Sequence, residues 1–184
     1  MSPSPRKYPM AHADVIATAV ARHIFPWRQF IVVPNVSWGL VSWEMDLAVL
    51  SESGVLYEVE IKTSKADLKA DASKQKWKCQ DFGRRIGQHY VALPAEKYHD
   101  MGPLVPATSG IITVPQFGKP ALHRKAVANR SAEKVSDADR QQLMRLGCMR
   151  YWARQDACHA MLEALHGLAL HCPLTAVPHV EPTT

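Results

Sequence analysis

Hydrophobic and polar residues alternate along two neighbouring stretches, Trp43–Leu50 and Val55–Lys62, with Ser51-Glu52-Ser53-Gly54 between them. Alternation with β-branched and aromatic enrichment predicts two strands, and the short polar connection predicts a hairpin. Ser at the first position and Gly at the fourth suit a type I turn, with Gly54 left-handed in a bulge. Such a turn pairs Ser51 with Val55. Counting back sets Asp46 opposite Glu60 and Glu44 opposite Lys62. One face of the hairpin then carries Glu44, Asp46, Glu58, Glu60 and Lys62, and the other carries Met45, Leu47, Val49, Val59 and Ile61.

The remaining pattern is helical at both ends and strand-like between. Ala11–Phe25 has apolar residues at helical spacing and stops at Pro26. Gln29–Val36 reads as a strand split by Pro34. After the hairpin, Ser64 suits an N-cap with Asp67 as the capping-box acid, opening a helix to about Gln80 that ends before Gly83. Gln88–Leu93 and Gly110–Val114 read as short apolar strands, Gly118–Pro120 as a turn. Ser136–Ala164 is strongly helical, with Gly147 a candidate break. Residues 1–9, with three prolines, read as a flexible arm, 10–172 as one domain and 173–184 as a tail. This order predicts an α/β fold with a C-terminal helical extension. Its central sheet is mixed, because a hairpin is antiparallel while helix-linked strands can be parallel, and helices flank it.

Composition changes the picture little, and charge changes it more. The chain has 184 residues, 47% hydrophobic and 21% charged, as in an ordinary globular domain. Net charge is +5. Eight Lys/Arg stand against three Asp between Lys62 and Arg85, so one segment beside the hairpin holds an excess equal to the whole chain's. A basic segment of that kind is compatible with nucleic acid. No apolar run is long enough to span a bilayer, so no membrane partner is expected. The start of the chain lacks a signal-like apolar core. Cys79, Cys148, Cys158 and Cys172 form no Cys-x-x-Cys pair. These features together predict reduced thiols in a cytoplasm. The spacing of His159, His166 and His171 around Cys158 and Cys172 fits no familiar zinc pattern.

The chemistry rests on the facing carboxylates. Asp46 and Glu60 repel each other across the hairpin, and a bound divalent cation is the simplest compensation. A solvated sheet face predicts the same alternation, so the pattern leaves both readings open. An Asp followed by Glu-x-Lys across a hairpin resembles the PD-(D/E)XK nuclease superfamily, with Met45 where the family has Pro. The run Val59-Glu60-Ile61-Lys62-Thr63-Ser64-Lys65-Ala66-Asp67-Leu68-Lys69-Ala70-Asp71 is similar to the core of MmcB-type DNA repair proteins and related phage nuclease-like proteins. The similarity spans roughly the middle half of the chain.

The resemblance implies a restriction-endonuclease-like three-layer core. It also implies a Mg²⁺-dependent endodeoxyribonuclease, with Mn²⁺ as a substitute, acting on DNA in repair or phage DNA processing. Asp46, Glu60 and Lys62 would be catalytic, and Asp46, Glu60 and the carbonyl of Ile61 would hold the metal. Asp14, the acidic residue of the first helix, is an accessory candidate, while Glu44 and Glu58 read as bystanders or supporting groups. Lys65, Lys69, Lys74 and Lys76 are the candidate phosphate contacts. Trp77 suits either base stacking or the core, and Arg84 and Arg85 suit either the DNA path or a solvated loop. Two further readings are a catalytically weak nucleic-acid-binding protein of the same fold, and a structural or partner-binding phage protein whose long C-terminal helix forms a homo-oligomer.

Overall fold

Six strands form one mixed sheet, with the strands neighbouring each other in chain order. They are β1 (Ile31–Val36), β2 (Met45–Leu50), β3 (Leu56–Ile61), β4 (Ile86–Pro94), β5 (Gly110–Val114) and β6 (Ala121–Arg124). The pairs β1–β2, β2–β3 and β5–β6 are antiparallel. The pairs β3–β4 and β4–β5 are parallel. This computed structural model describes residues 13–37, 40–72 and 80–170. They belong to two compact units, Met1–Gly147 and Cys148–Thr184.

Helices cover both faces of the sheet in the first unit, giving three layers. On one face, Ile16 and Val20 of α1 (Ala13–His23) pack against Leu47, Val49, Val59, Ile61, Ala92 and Ile112. On the other, Leu143 near the start of α5 (Asp137–Leu170) packs with Ala48, Leu50, Leu56 and Ile86. On that same face, Leu68 of α2 (Lys65–Ala72) and Met101 of α4 (Tyr98–Met101) meet Val91, Leu93 and Ile111. Phe82 of α3 (Gln80–Arg85) lies partly buried against the second cluster. The α/β class, mixed sheet and C-terminal helix are those expected.

Several local expectations need correction. Pro34 does not split β1 but sits within it, tolerated because β1 is an edge strand whose missing N–H costs no ladder bond. Asn35, at φ +51°, lies between the pairs Pro34–Leu47 and Val36–Met45 and interrupts the alternation. Met45 consequently packs with Val36 in the second cluster, away from Leu47 and Val49. Helix α3 runs through Gly83, and α5 is continuous through Gly147 to Leu170. Strand β6 is too short and too exposed to announce itself in the hydrophobic pattern. The expected helix through residues 73–79, the arm at 1–9 and the tail at 173–184 lie outside the described residues.

One glycine is required by packing. Gly110 pairs with Tyr90 across β4–β5, and the tyrosine ring occupies the space a Cβ on Gly110 would need. Burial pushes the Tyr90 hydroxyl above its ordinary pKa.

Candidate active site

The hairpin register is the one the turn predicts. Leu47, Ala48, Val49 and Leu50 pair with Val59, Glu58, Tyr57 and Leu56. The Ser51 N–H donates to the Val55 carbonyl at 3.0 Å, and Gly54 adopts φ +84°. Leu47–Val59 is the last regular pair, and beyond it the Asp46 side chain reaches across to Ile61.

Burial decides between the two readings of the charged face. Glu58 is 0% exposed, Glu60 2% and Lys62 3%. A solvated sheet face is therefore ruled out; the charged residues of β3 lie beneath the helical layer, between two hydrophobic clusters. Burying ions costs several kcal/mol apiece unless they are paired, and each has a partner. The Lys62 ammonium lies 2.7 Å from Glu60 Oε2 and 3.9 Å from Asp67 Oδ1. The Trp43 indole N–H donates to Glu58 Oε1 at 3.0 Å. His89, the parallel partner of Glu58, shares a hydrogen bond of 2.9 Å with the Ser109 hydroxyl.

Asp46 does something different. It is half-buried, and its Oδ2 accepts the N–H of Ile61 at 2.7 Å. The Ser51 N–H bonds the Val55 carbonyl and the Val55 N–H turns to Ser51 Oγ, both toward β2, so by the two-residue period the N–H groups of Tyr57, Val59 and Ile61 also face β2. In a regular ladder Ile61 would donate to Met45. Here the side chain of Asp46 takes that place. The carbonyl of Ile61 points to the same side as its N–H, so Asp46, Glu60 and this carbonyl are the candidate oxygen donor set at this end of the hairpin. Hard oxygen donors of that kind suit Mg²⁺. Among the described residues no group of three or more His, Cys, Asp or Glu gathers as a metal site, so the set relies on two carboxylates and the main chain. It lies at the carboxyl ends of the parallel strands, where open α/β sheets bind their ligands.

The other candidates are scattered by the fold. Glu44 is exposed at the entry to β2. Asp14 is exposed in the first turn of α1, the helix covering the opposite face. Lys65 and Lys69 are exposed on α2, immediately after the site. Lys74, Lys76, Trp77 and Lys78 lie outside the described residues. Arg84 faces Glu133 at 3.9 Å and Arg85 faces Asp139 at 3.4 Å, tying the end of α3 to the chain that leads into α5.

Three contacts escaped sequence reasoning. Trp43, His89 and Ser109 form the buried polar surroundings of Glu58, and Lys97 donates to the carbonyl of Thr63 beside the site. None stands at a spacing that signals it. A cleft of about 1110 Å³ opens at the other end of the hairpin, among Trp27, Arg28, Tyr57 and Arg140.

No family model matches the chain, and no curated protein is similar to it. A solved structure of SPO1766, a protein of unknown function from Silicibacter pomeroyi, is similar over 78% of this chain and 88% of that one. The two are 25% identical, with a TM-score of 0.54. Among the described residues no helix is long and apolar enough to cross a membrane.

Proposed function

We propose that this protein is a metal-dependent nuclease of the PD-(D/E)XK type that hydrolyses phosphodiester bonds of DNA, with Asp46, Glu60 and Lys62 as its catalytic residues. The observation that carries the reading is the buried Glu60–Lys62 pair at the carboxyl end of β3, flanking Ile61, whose N–H the Asp46 carboxylate accepts. A strand that only needed to pack would place apolar residues there, because a buried ion pair contributes little or nothing net to stability. The resemblance of the hairpin and the start of α2 to that superfamily supports the same reading, and DNA repair or phage DNA processing is the setting it implies.

Asp46, Glu60 and the Ile61 carbonyl would hold Mg²⁺, or Mn²⁺ in its place. The bound ion supplies Lewis-acid stabilisation of a phosphoryl oxygen and a water acidified for attack. Everything else falls to the chain. Asp46 is oriented by the Ile61 N–H, so its carboxylate is preset. The Lys62 ammonium, set between two carboxylates, would orient the attacking water or stabilise charge developing on the phosphate. Lys65 and Lys69 engage flanking phosphates without reading sequence.

Cleavage of plasmid, linear, single-stranded and branched DNA, with Mg²⁺, Mn²⁺ or EDTA, tests the proposal. Cutting of at least one substrate with metal and none with EDTA is expected. No cutting of any substrate, together with no Mg²⁺ effect on thermal unfolding, would end it.

The contact between Lys62 and Glu60 favours one second reading. An ammonium resting where a cation would bind suits a nucleic-acid-binding protein with little turnover. Salt-dependent DNA binding without metal-dependent cleavage distinguishes it. In either case, changing Lys65 and Lys69 to Ala should weaken binding about equally across sequences. Each lost phosphate contact should lower the slope of log affinity against log salt by roughly 0.7 to 0.9. Identical slopes for wild type and variant would make α2 a merely solvated face.

A further inference from the structure

We infer that Asp67 is a positioning residue for Lys62, a second acceptor that takes the ammonium when Glu60 engages a divalent cation; this rests on the nuclease reading above. Lys62 is bracketed. Its Nζ lies 2.7 Å from Glu60 Oε2 and 3.9 Å from Asp67 Oδ1. The two acceptors differ in setting, since the Glu60 side chain is 2% exposed and that of Asp67 is 47% exposed.

Asp67 is held in place by the main chain around it. Its N–H donates to Ser64 Oγ at 3.1 Å, and the Leu68 N–H donates to the Ser64 carbonyl at 3.1 Å. The Thr63 carbonyl just before this turn accepts from Lys97 Nζ. The main chain of Asp67 is therefore fixed, and Lys62 ends on a flexible four-carbon stem that can swing toward the Asp67 carboxylate.

Charge dictates which way it moves. A divalent cation on Glu60 shares that carboxylate's oxygens and repels the ammonium that now sits on them. Lys62 is 3% exposed, so bulk water competes only weakly as its acceptor. Asp67 stands about one ångström beyond hydrogen-bond reach, a gap that a change of side-chain torsion closes. Moving to Asp67 keeps the ammonium paired, clears Glu60, and leaves Lys62 beside the reacting phosphate. Without the Asp67 carboxylate, Lys62 loses that acceptor and competes more strongly with the cation for Glu60. Asp67 thus raises cation affinity without touching the cation. Its position in the first turn of α2 also favours a carboxylate for the helix dipole, a role that predicts no effect on metal binding.

Calorimetric Mg²⁺ titration of the full chain separates these roles, using wild type, Asp67→Asn and Asp67→Glu at low and high salt. Asp67→Asn should bind Mg²⁺ on the order of tenfold more weakly, the lower end of the scale on which outer-shell partners of a metal site act, and Asp67→Glu should recover most of the loss. The difference should persist at high salt, because a direct pull of exposed Asp67 on the cation is screened there while a contact through buried Lys62 is not. Equal affinities, or a difference that vanishes at high salt, overturn the role of Asp67 and leave the nuclease reading standing. A wild-type protein that binds no Mg²⁺ overturns both.

Discussion

Replacing Lys62 with Met should destabilise the metal-free protein by about 3–5 kcal/mol, because it strands a buried carboxylate. Glu60 is 2% exposed and its Oε2 is held at 2.7 Å by the ammonium that the substitution removes. Methionine matches the lysine stem in length, so packing is conserved and the loss is electrostatic. The double variant Glu60→Gln/Lys62→Met leaves no charge to compensate and should regain most of the stability, since replacing both members of a buried pair is often nearly neutral. Mg²⁺ should also stabilise the single variant, and more strongly as its concentration passes the dissociation constant, because only the folded state assembles the donor set. Urea unfolding of the three proteins, with and without Mg²⁺, measures all of this. If Lys62→Met unfolds at the wild-type urea concentration, the pair is not sequestered as described.

Asp46 calls for two substitutions with different outcomes. Asp46→Asn keeps an oxygen able to accept the Ile61 N–H and loses the negative charge. Its fold should survive, while metal-dependent cleavage falls by at least about 10²-fold, the scale of losing one electrostatic contact to a transition state. Asp46→Ala removes the acceptor as well. The Ile61 N–H then loses the bond of 2.7 Å that replaces its ladder partner, at a cost of about 1–3 kcal/mol. Alanine therefore confounds chemistry with stability, and relief of carboxylate repulsion does not offset the missing bond. Cleavage rates and urea midpoints for both variants check the distinction. An Asp46→Asn protein that cuts DNA at the wild-type rate would remove Asp46 from the catalytic set.

The hairpin was legible because its information is local. Ser51 and Gly54 define the turn, the turn defines the pairing, and the pairing brings Asp46 to the end of β3, where it meets the Ile61 N–H. The N-cap of α2 was legible for the same reason, and Asp67 N–H does bond Ser64 Oγ. What covers the charged face was not legible. An alternating strand looks the same whether its polar side meets water or a layer of helices. Only the placement of Leu68 on the next helix and of Phe82 and Leu143, both distant in sequence, decides it. The Trp43 and His89 contacts around Glu58 share this non-local origin. Gly83 and Gly147 misled in the opposite sense, because a propensity cost of about 1 kcal/mol is too small to end a helix by itself.

The substitution of a side chain for a carbonyl in the β2–β3 ladder ties this site to chain connectivity. Asp46 reaches Ile61 because the number of residues from Asp46 to the turn matches the number from the turn to Glu60. An extra residue inserted between Asp46 and Ser51, with the turn unmoved, would rotate the carboxylate toward the layer under α1. A deletion there would do the same. Length variation in this hairpin is thus tolerable only in the turn itself or as matched changes in both strands. The spacing of the acidic pair is inherited as a unit, like a reading frame.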